Sequence, residues 1–222
     1  MASSVNRPTR SSAVTSAAAS SCAEGDPHVV LILVRHGQTA ANRSRVLLGR
    51  SDVPLTDLGR AQAASTSAAV RATGNVVAVV ASPLIRARET AACFDLPVEI
   101  DERWIELDYG GFEGRPLAEV PADLWARWRA DPELVPDSGE SLAACGRRVR
   151  SACEDLCTRA AVDDVVVVTH VSPIKAAVAW AVGADDGVTW RLHCDLASVT
   201  RIAVGARLPV LHSYNEVGHL AP

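Results

Sequence analysis

From residue 29 onward, two hydrophobic rhythms alternate along the chain. Uninterrupted apolar runs cover residues 29–34 and 76–81, and a third, four valines closed by Thr169, covers 165–169. Runs of this length without polar alternation predict strands buried on both faces. Helical stretches fall between them. Thr56 ahead of Asp57 predicts an N-cap and Gly74-Asn75 a stop, for a helix reaching about Thr73. Ser82-Pro83 predicts a cap followed by proline in the first helical position, with a helix to about Cys93, and Ser172-Pro173 repeats the device for a helix to Gly183. A long helix is expected over 140–161, with Arg147, Arg148 and Arg150 on its outer face. Shorter strands are expected at 97–100, 198–204 and 209–213. Residues 116–136 hold Trp125 and Trp128 between prolines and are read as a small helical lid insertion.

Strands alternating with helices imply βαβ units. The expected fold class is α/β: a mostly parallel central sheet with helices on both faces, in three αβα layers. In such sheets the ligand crevice lies at the carboxyl ends of the strands. Arg35 and His36 close the first run, Arg86 falls in the first turn after the second, and His170 closes the third. The topology therefore delivers two arginines and two histidines to one edge.

Composition narrows the classes of function. The chain has 222 residues and a formal net charge of −4, with no basic stripe, so neither nucleic acid nor an anionic membrane is an expected partner. No apolar run reaches the length of a membrane span. Cys22, Cys93, Cys145, Cys153, Cys157 and Cys194 form no CxxC pair and no His/Cys ligand spacing, so no metal is expected. Reduced core thiols in a cytoplasmic protein are the simplest reading. Residues 1–27 are rich in Ser and Ala and lack a signal peptide's hydrophobic run. They are read as a disordered tail or an over-extended start ahead of one domain over 28–222. Oligomeric state is not legible, and a homodimer is admitted.

The converging residues suit a doubly charged oxyanion. Arginine offers a planar fork of donors matched to phosphate oxygens, and helix N-termini add backbone N–H groups. A neutral imidazole can attack phosphorus, giving a phosphohistidine that water hydrolyses. The leaving alcohol needs a proton, for which Glu106 is the candidate, with Asp108 as substitute and Glu113 close by. No cofactor is called for; the expected partner is a small phosphate monoester. Lys175 is read as a solvated lysine in preference to a substrate contact from the first turn of its helix, and Trp125 and Trp128 as core packing in preference to a substrate clamp. His28, His193, His212 and His219 are read as structural or exposed.

These residues sit in ordered blocks. The first is Leu33-Val34-Arg35-His36-Gly37-Gln38-Thr39 with Asn42, continuing through Gly49, Asp52, Pro54-Leu55-Thr56, Gly59 and Gln62-Ala63. Ser82-Pro83-Leu84 with Arg86-Ala87 and Thr90 follows, then Glu106 to Glu113-Gly114, Gly139-Glu140-Ser141, and Val168-Thr169-His170. Five blocks in this order resemble the histidine phosphatase superfamily, also called phosphoglycerate mutase-like. The resemblance implies that His36 is the phosphorylated nucleophile and that Arg35, Arg86 and His170 hold the phosphoryl group. Glu106 is implied as general acid and later base; Gln38, Thr39, Asn42 and Gly49 are implied to bind substrate. Within the superfamily the chain looks most similar to the α-ribazole phosphatase type. It also resembles the acid-phosphatase half of actinobacterial RNase H/acid-phosphatase fusions, although 27 irregular residues cannot hold an RNase H domain. Ala41 stands where the mutases carry tryptophan, Leu48 where many members carry a polar residue, and the mutases' longer insertion is missing. These departures favour a hydrolase over a 2,3-bisphosphoglycerate-dependent mutase. A non-catalytic phospholigand-binding protein is the reading from a different class.

Overall fold

The computed structural model describes Met1 and residues 29–159, 163–205 and 208–220. The expectations for the Ser/Ala-rich stretch, Cys22 and His28 lie outside those residues. In chain order the elements are β1 (Val29–Arg35), α1 (Ala40–Arg43), α2 (Asp57–Thr73), β2 (Val76–Ala81), α3 (Ile85–Ala91) and β3 (Val98–Ile100). They continue with α4 (Ala122–Ala130), α5 (Leu142–Arg159), β4 (Asp164–Thr169), α6 (Val171–Ala181), β5 (Val199–Val204) and β6 (Val210–Glu216).

One sheet takes the order β3-β2-β4-β1-β5-β6. Strands β3, β2, β4 and β1 are mutually parallel, β5 runs antiparallel to β1, and β6 antiparallel to β5. Side chains alternate between faces along a strand, so a strand covered on both sides must be apolar at every position. Leu31 and Leu33 of β1, with Val165 and Val167 of β4, pack toward Val149, Cys153 and Leu156 of α5 and Ile174 of α6. Ile32 and Val34, with Val166 and Val168, pack toward Val70 of α2 and Ala87 and Ala91 of α3. That is why the first and third apolar runs show no polar interruption. Three layers result, and the central parallel strands all end at the same edge. Among the described residues no helix is long and apolar enough to cross a membrane.

Four expectations about local structure need correction. Helix α3 starts at Ile85 with Leu84 as N-cap, and Ser82 does not cap it. The Ile85 N–H is taken instead by Asp52 Oδ1 at 2.6 Å, a cap supplied by a distant loop. Helix α6 starts at Val171 with His170 as N-cap, so Pro173 is its third residue, where a missing N–H still breaks no helical bond. Helix α5 starts at Leu142 rather than Glu140, with the Ser141 hydroxyl accepting from Ala144 N at 3.1 Å. Arg148 does not lie on the outer face of α5. Its guanidinium turns inward to Glu140 Oε1 and Oε2 at 2.7 and 2.8 Å, while Arg147 stays exposed.

Candidate active site

His36 follows β1, buried to 3 % exposure, with its N–H bonded to Thr169 O and its carbonyl to Ala197 N. Its Nδ1 lies 2.7 Å from the carbonyl of Gly37. A carbonyl only accepts, so in the neutral ring Nδ1 carries the hydrogen and Nε2 keeps the lone pair. Burial holds the imidazole well below its usual pKa, and the charges of Arg86 and Arg35 push the same way. The ring is neutral at physiological pH, as a nucleophile must be. Gly37 allows the tight passage behind it: a Cβ there would stand 2.2 Å from the Gly59 carbonyl oxygen.

His170, after β4, faces His36 with ring centroids 5.1 Å apart. Arg86 Nε donates to its Nδ1 at 3.3 Å, so the remaining hydrogen sits on Nε2, 2.6 Å from Ser82 Oγ. Burial, Arg86 and His36 depress its pKa as well. Arg86 is fully buried, and its other donors reach the carbonyls of Ser51 at 2.8 Å and Gly49 at 2.6 Å. A guanidinium so placed cannot swing away. It presents a fixed positive charge beneath the two imidazoles.

Arg35 binds the Cys194 carbonyl through one terminal nitrogen at 2.5 Å, while its buried Nε has no partner. An unpaired buried donor costs on the order of 1–3 kcal/mol, so an anionic guest at this point removes a penalty. Glu106 is buried to 2 % exposure. Its Oε1 accepts from the N–H of Leu107 at 2.7 Å and of Ser172 at 3.3 Å. The carboxylate thus does for the first turn of α6 what Ser172 was expected to do. Oε2 takes neither bond. Arg148 donates to the Glu106 carbonyl at 3.3 Å and to that of Arg103 at 2.7 Å, tying the acid's backbone to α5.

A cavity of about 900 Å³ opens here, with Arg35, His36, Asn42 and Glu106 in its wall. The alternatives to Glu106 are engaged elsewhere. Asp108 bonds the Gly110 N–H and pairs with Arg50 at 3.5 Å, and the Glu113 carboxylate takes the N–H groups of Gly49 and Ser51.

The four residues expected to bind substrate separate in space. Asn42 reaches the cavity, but Thr39 is fully buried and forms a reciprocal capping box with it. Asn42 Oδ1 is committed to Thr39, which leaves its NH₂ for a guest. Gln38 accepts from Thr56 through Oε1, and Gln62 stands in the cavity wall in its stead. Gly49 is buried, with its N–H on Glu113 and its carbonyl on Arg86. It positions the arginine rather than facing the cavity. Lys175 is half-buried in α6. His193 is exposed and pairs with Asp195, while His219 bonds Thr66 and Ala197. Among the described residues no cluster of His, Cys, Asp and Glu could hold a metal ion.

Ser82, Arg148 and Glu113 were not anticipated in these roles. Ser82 carried a signal, since it lies four residues before Arg86, but a cap explained it equally well. Glu113 was noticed only as a rival acid. Nothing in an arginine that stands with Arg147 and Arg150 on a charged helix marks Arg148 as inward.

Comparison with known proteins bears on the family and the fold. The profile of the Histidine phosphatase superfamily (branch 1) matches residues 31–217. The chain belongs to the histidine phosphatase superfamily. Over 177 residues it is 37 % identical to the Bifunctional protein Rv2228c of Mycobacterium tuberculosis, covering 77 % of this chain and 49 % of that one. The chain thus spans about half the length of such curated relatives. A histidine-to-alanine variant of phosphoserine phosphatase from Entamoeba histolytica, solved with phosphoserine, superposes with a TM-score of 0.80. It is 25 % identical, and the match covers 87 % of this chain and all of that one. A protein described as an alpha-ribazole-5'-P phosphatase from Escherichia coli superposes with a TM-score of 0.75 at 26 % identity, covering 85 % and 96 %.

Proposed function

We propose that this chain hydrolyses small phosphate monoesters through a phosphohistidine on His36. The observation that carries the reading is the state of that imidazole: neutral, fixed by Gly37, and open at Nε2 beside two arginines. In the first step Nε2 forms a bond to phosphorus as the bond to the ester oxygen breaks, and that oxygen takes a proton from Glu106. Arg35 and Arg86 balance the charge spread over the equatorial oxygens, and His170 supports the group from the side. In the second step the Glu106 carboxylate accepts a proton from water, which attacks phosphorus and releases His36. Asn42 adds a donor to the bound phosphoryl group.

The likeness to a phosphoserine phosphatase and to an alpha-ribazole-5'-P phosphatase supports hydrolysis of a small ester and leaves two substrate classes to compare. α-Ribazole 5'-phosphate is the first to try. A panel containing it, phosphoserine, 3-phosphoglycerate and sugar phosphates, scored by released phosphate, tests the reading. At least one ester is turned over in a His36-dependent manner, and 3-phosphoglycerate yields no 2-phosphoglycerate. Isomerisation without phosphate release would replace hydrolysis by a mutase, and tight binding without turnover would leave only a phospholigand-binding protein.

A further inference from the structure

Next to the cavity over His36 lies a second one, of about 320 Å³. Leu47, Tyr109, Leu117 and Val171 line both, so the two share a wall. The rest of the second cavity is dominated by Trp125, Trp128 and Trp190, with Lys175 at its edge. Trp125 and Trp128 stack at 5.5 Å with planes 16° apart, and Trp190 sets its edge against both. Simple core packing would explain three tryptophans in mutual contact, but not the cavity that they wall on one side.

One further feature points to an occupant. Lys175 is the chain's only lysine, half-buried, and it makes no hydrogen bond or ion pair among the described residues. Burial disfavours its charge, Arg35 opposes it further, and the opposing pull comes from Cys194 and Glu106. The same pairings put Lys175 within electrostatic reach of the catalytic edge. A flat-walled cavity of this volume suits a single ring. A half-buried ammonium suits an anion on that ring.

We propose that this cavity is the leaving-group subsite, holding an aromatic ring that bears a carboxylate and is esterified through its hydroxyl to the phosphate at His36. The proposal rests on the phosphatase reading and, by assigning a carboxylated phenol as the alcohol released, sets an aryl ester against α-ribazole 5'-phosphate and the other alkyl esters of the panel. Lys175 is assigned as the carboxylate's partner, and the tryptophan walls as the ring's.

The test compares 3-carboxyphenyl phosphate with phenyl phosphate on the full chain, and titrates 3-hydroxybenzoate against tryptophan fluorescence. Wild type should favour the carboxylated ester by roughly tenfold or more in kcat/KM, the worth of one hydrogen bond to a charged group. Lys175→Met should bring that ratio toward one, chiefly through KM, and Lys175→Arg should restore part of it. Hydroxybenzoate should quench the fluorescence saturably in wild type and in His36→Ala, and bind roughly tenfold more weakly in Lys175→Met. Equal turnover of the two esters with no saturable quenching overturns the subsite while the phosphatase reading stands. If no ester of any class is turned over, the phosphatase reading falls, and the leaving-group assignment with it. The wild-type arms need no variant to fold.

Discussion

Replacing Arg148 by methionine removes one of the most heavily bonded side chains near the site, and its neighbour Arg147 supplies the control. Arg148 makes four hydrogen bonds: two to Glu140, one to the Arg103 carbonyl and one to the Glu106 carbonyl. Its side chain is 16 % exposed and that of Glu140 is 13 % exposed. Methionine fills much of the volume but leaves the Glu140 carboxylate with only the half-exposed Arg50, 3.3 Å away, as partner, and leaves two carbonyls short of a donor. Breaking a fully buried pair from one side costs about 3–5 kcal/mol, and the remaining Arg50 contact brings the expected loss to about 2–3 kcal/mol. Arg147 pairs with Glu133 at a similar 2.8 Å, but with side chains 62 % and 64 % exposed. Solvent screens that pair, and its loss should cost no more than about 1 kcal/mol. Urea unfolding of wild type and both single variants, with a common slope, measures the difference directly. Adding Glu140→Gln to Arg148→Met should recover part of the loss, because the stranded charge is then removed. The loosened Glu106 backbone should also lower kcat in Arg148→Met more than in Arg147→Met. Equal destabilisation by the two arginine replacements would refute the reasoning, since the closest ion-pair distance and the charge are alike while burial and the number of hydrogen bonds differ.

The other expectations concern the site itself. Glu106→Gln keeps the acceptor for Leu107 and Ser172 but cannot give a proton; kcat on alkyl phosphates should fall about 10²–10⁴-fold. The loss should be much smaller on nitrophenyl phosphate, whose leaving group needs little protonation, and equal losses on both would count against the acid role. Ser82→Ala removes the partner of His170 Nε2 and should destabilise the fold by about 1–3 kcal/mol while raising KM for phosphate esters. Unchanged stability and KM would separate Ser82 from the site. Stability should also depend on pH through His36 and His170, whose folded-state pKa values are depressed. Above about pH 6.5 both rings are neutral folded or unfolded; below it the unfolded chain takes up protons that the native chain refuses. Stability should therefore fall as pH drops from about 6.5 to 5, by at most about 1.4 kcal/mol per pH unit for each ring, and His170→Gln should flatten that slope. A slope unchanged by that replacement would mean His170 is not held neutral.

The layers of the fold were legible because burial on both faces leaves its mark on every residue of β1 and β4, and because Thr56 and Gly74 bracket α2 in sequence. Edge strand β6 was read too short. It runs on through Tyr214, Asn215 and Glu216, with Asn215 at φ 57° and a shifted register, and a half-solvated strand has no continuous apolar run to announce that. Arg35, His36, Arg86 and His170 could be found because they sit at strand ends, which the topology brings to one place. Their supports could not. Ser82 and Ser172 look like helix caps, and the caps actually used, Asp52 and Glu106, come from loops distant in sequence. Gly49 and Thr39 look like phosphate-loop residues and instead hold Arg86 and Asn42. Apart from the Thr39–Asn42 capping box, these contacts cross 30 or more residues and leave no periodicity to read.

The most direct test of the account is to catch the covalent intermediate. The full chain is mixed with a turned-over phosphate ester, quenched at the millisecond scale under alkaline conditions that preserve phosphohistidine, digested, and analysed by mass spectrometry. The account predicts one phosphoryl group on the peptide carrying His36, stable to base and labile to acid, formed at a rate no slower than turnover and lost in His36→Ala. Full turnover with no phosphopeptide, or a phosphoryl group on His170 in its place, would contradict it.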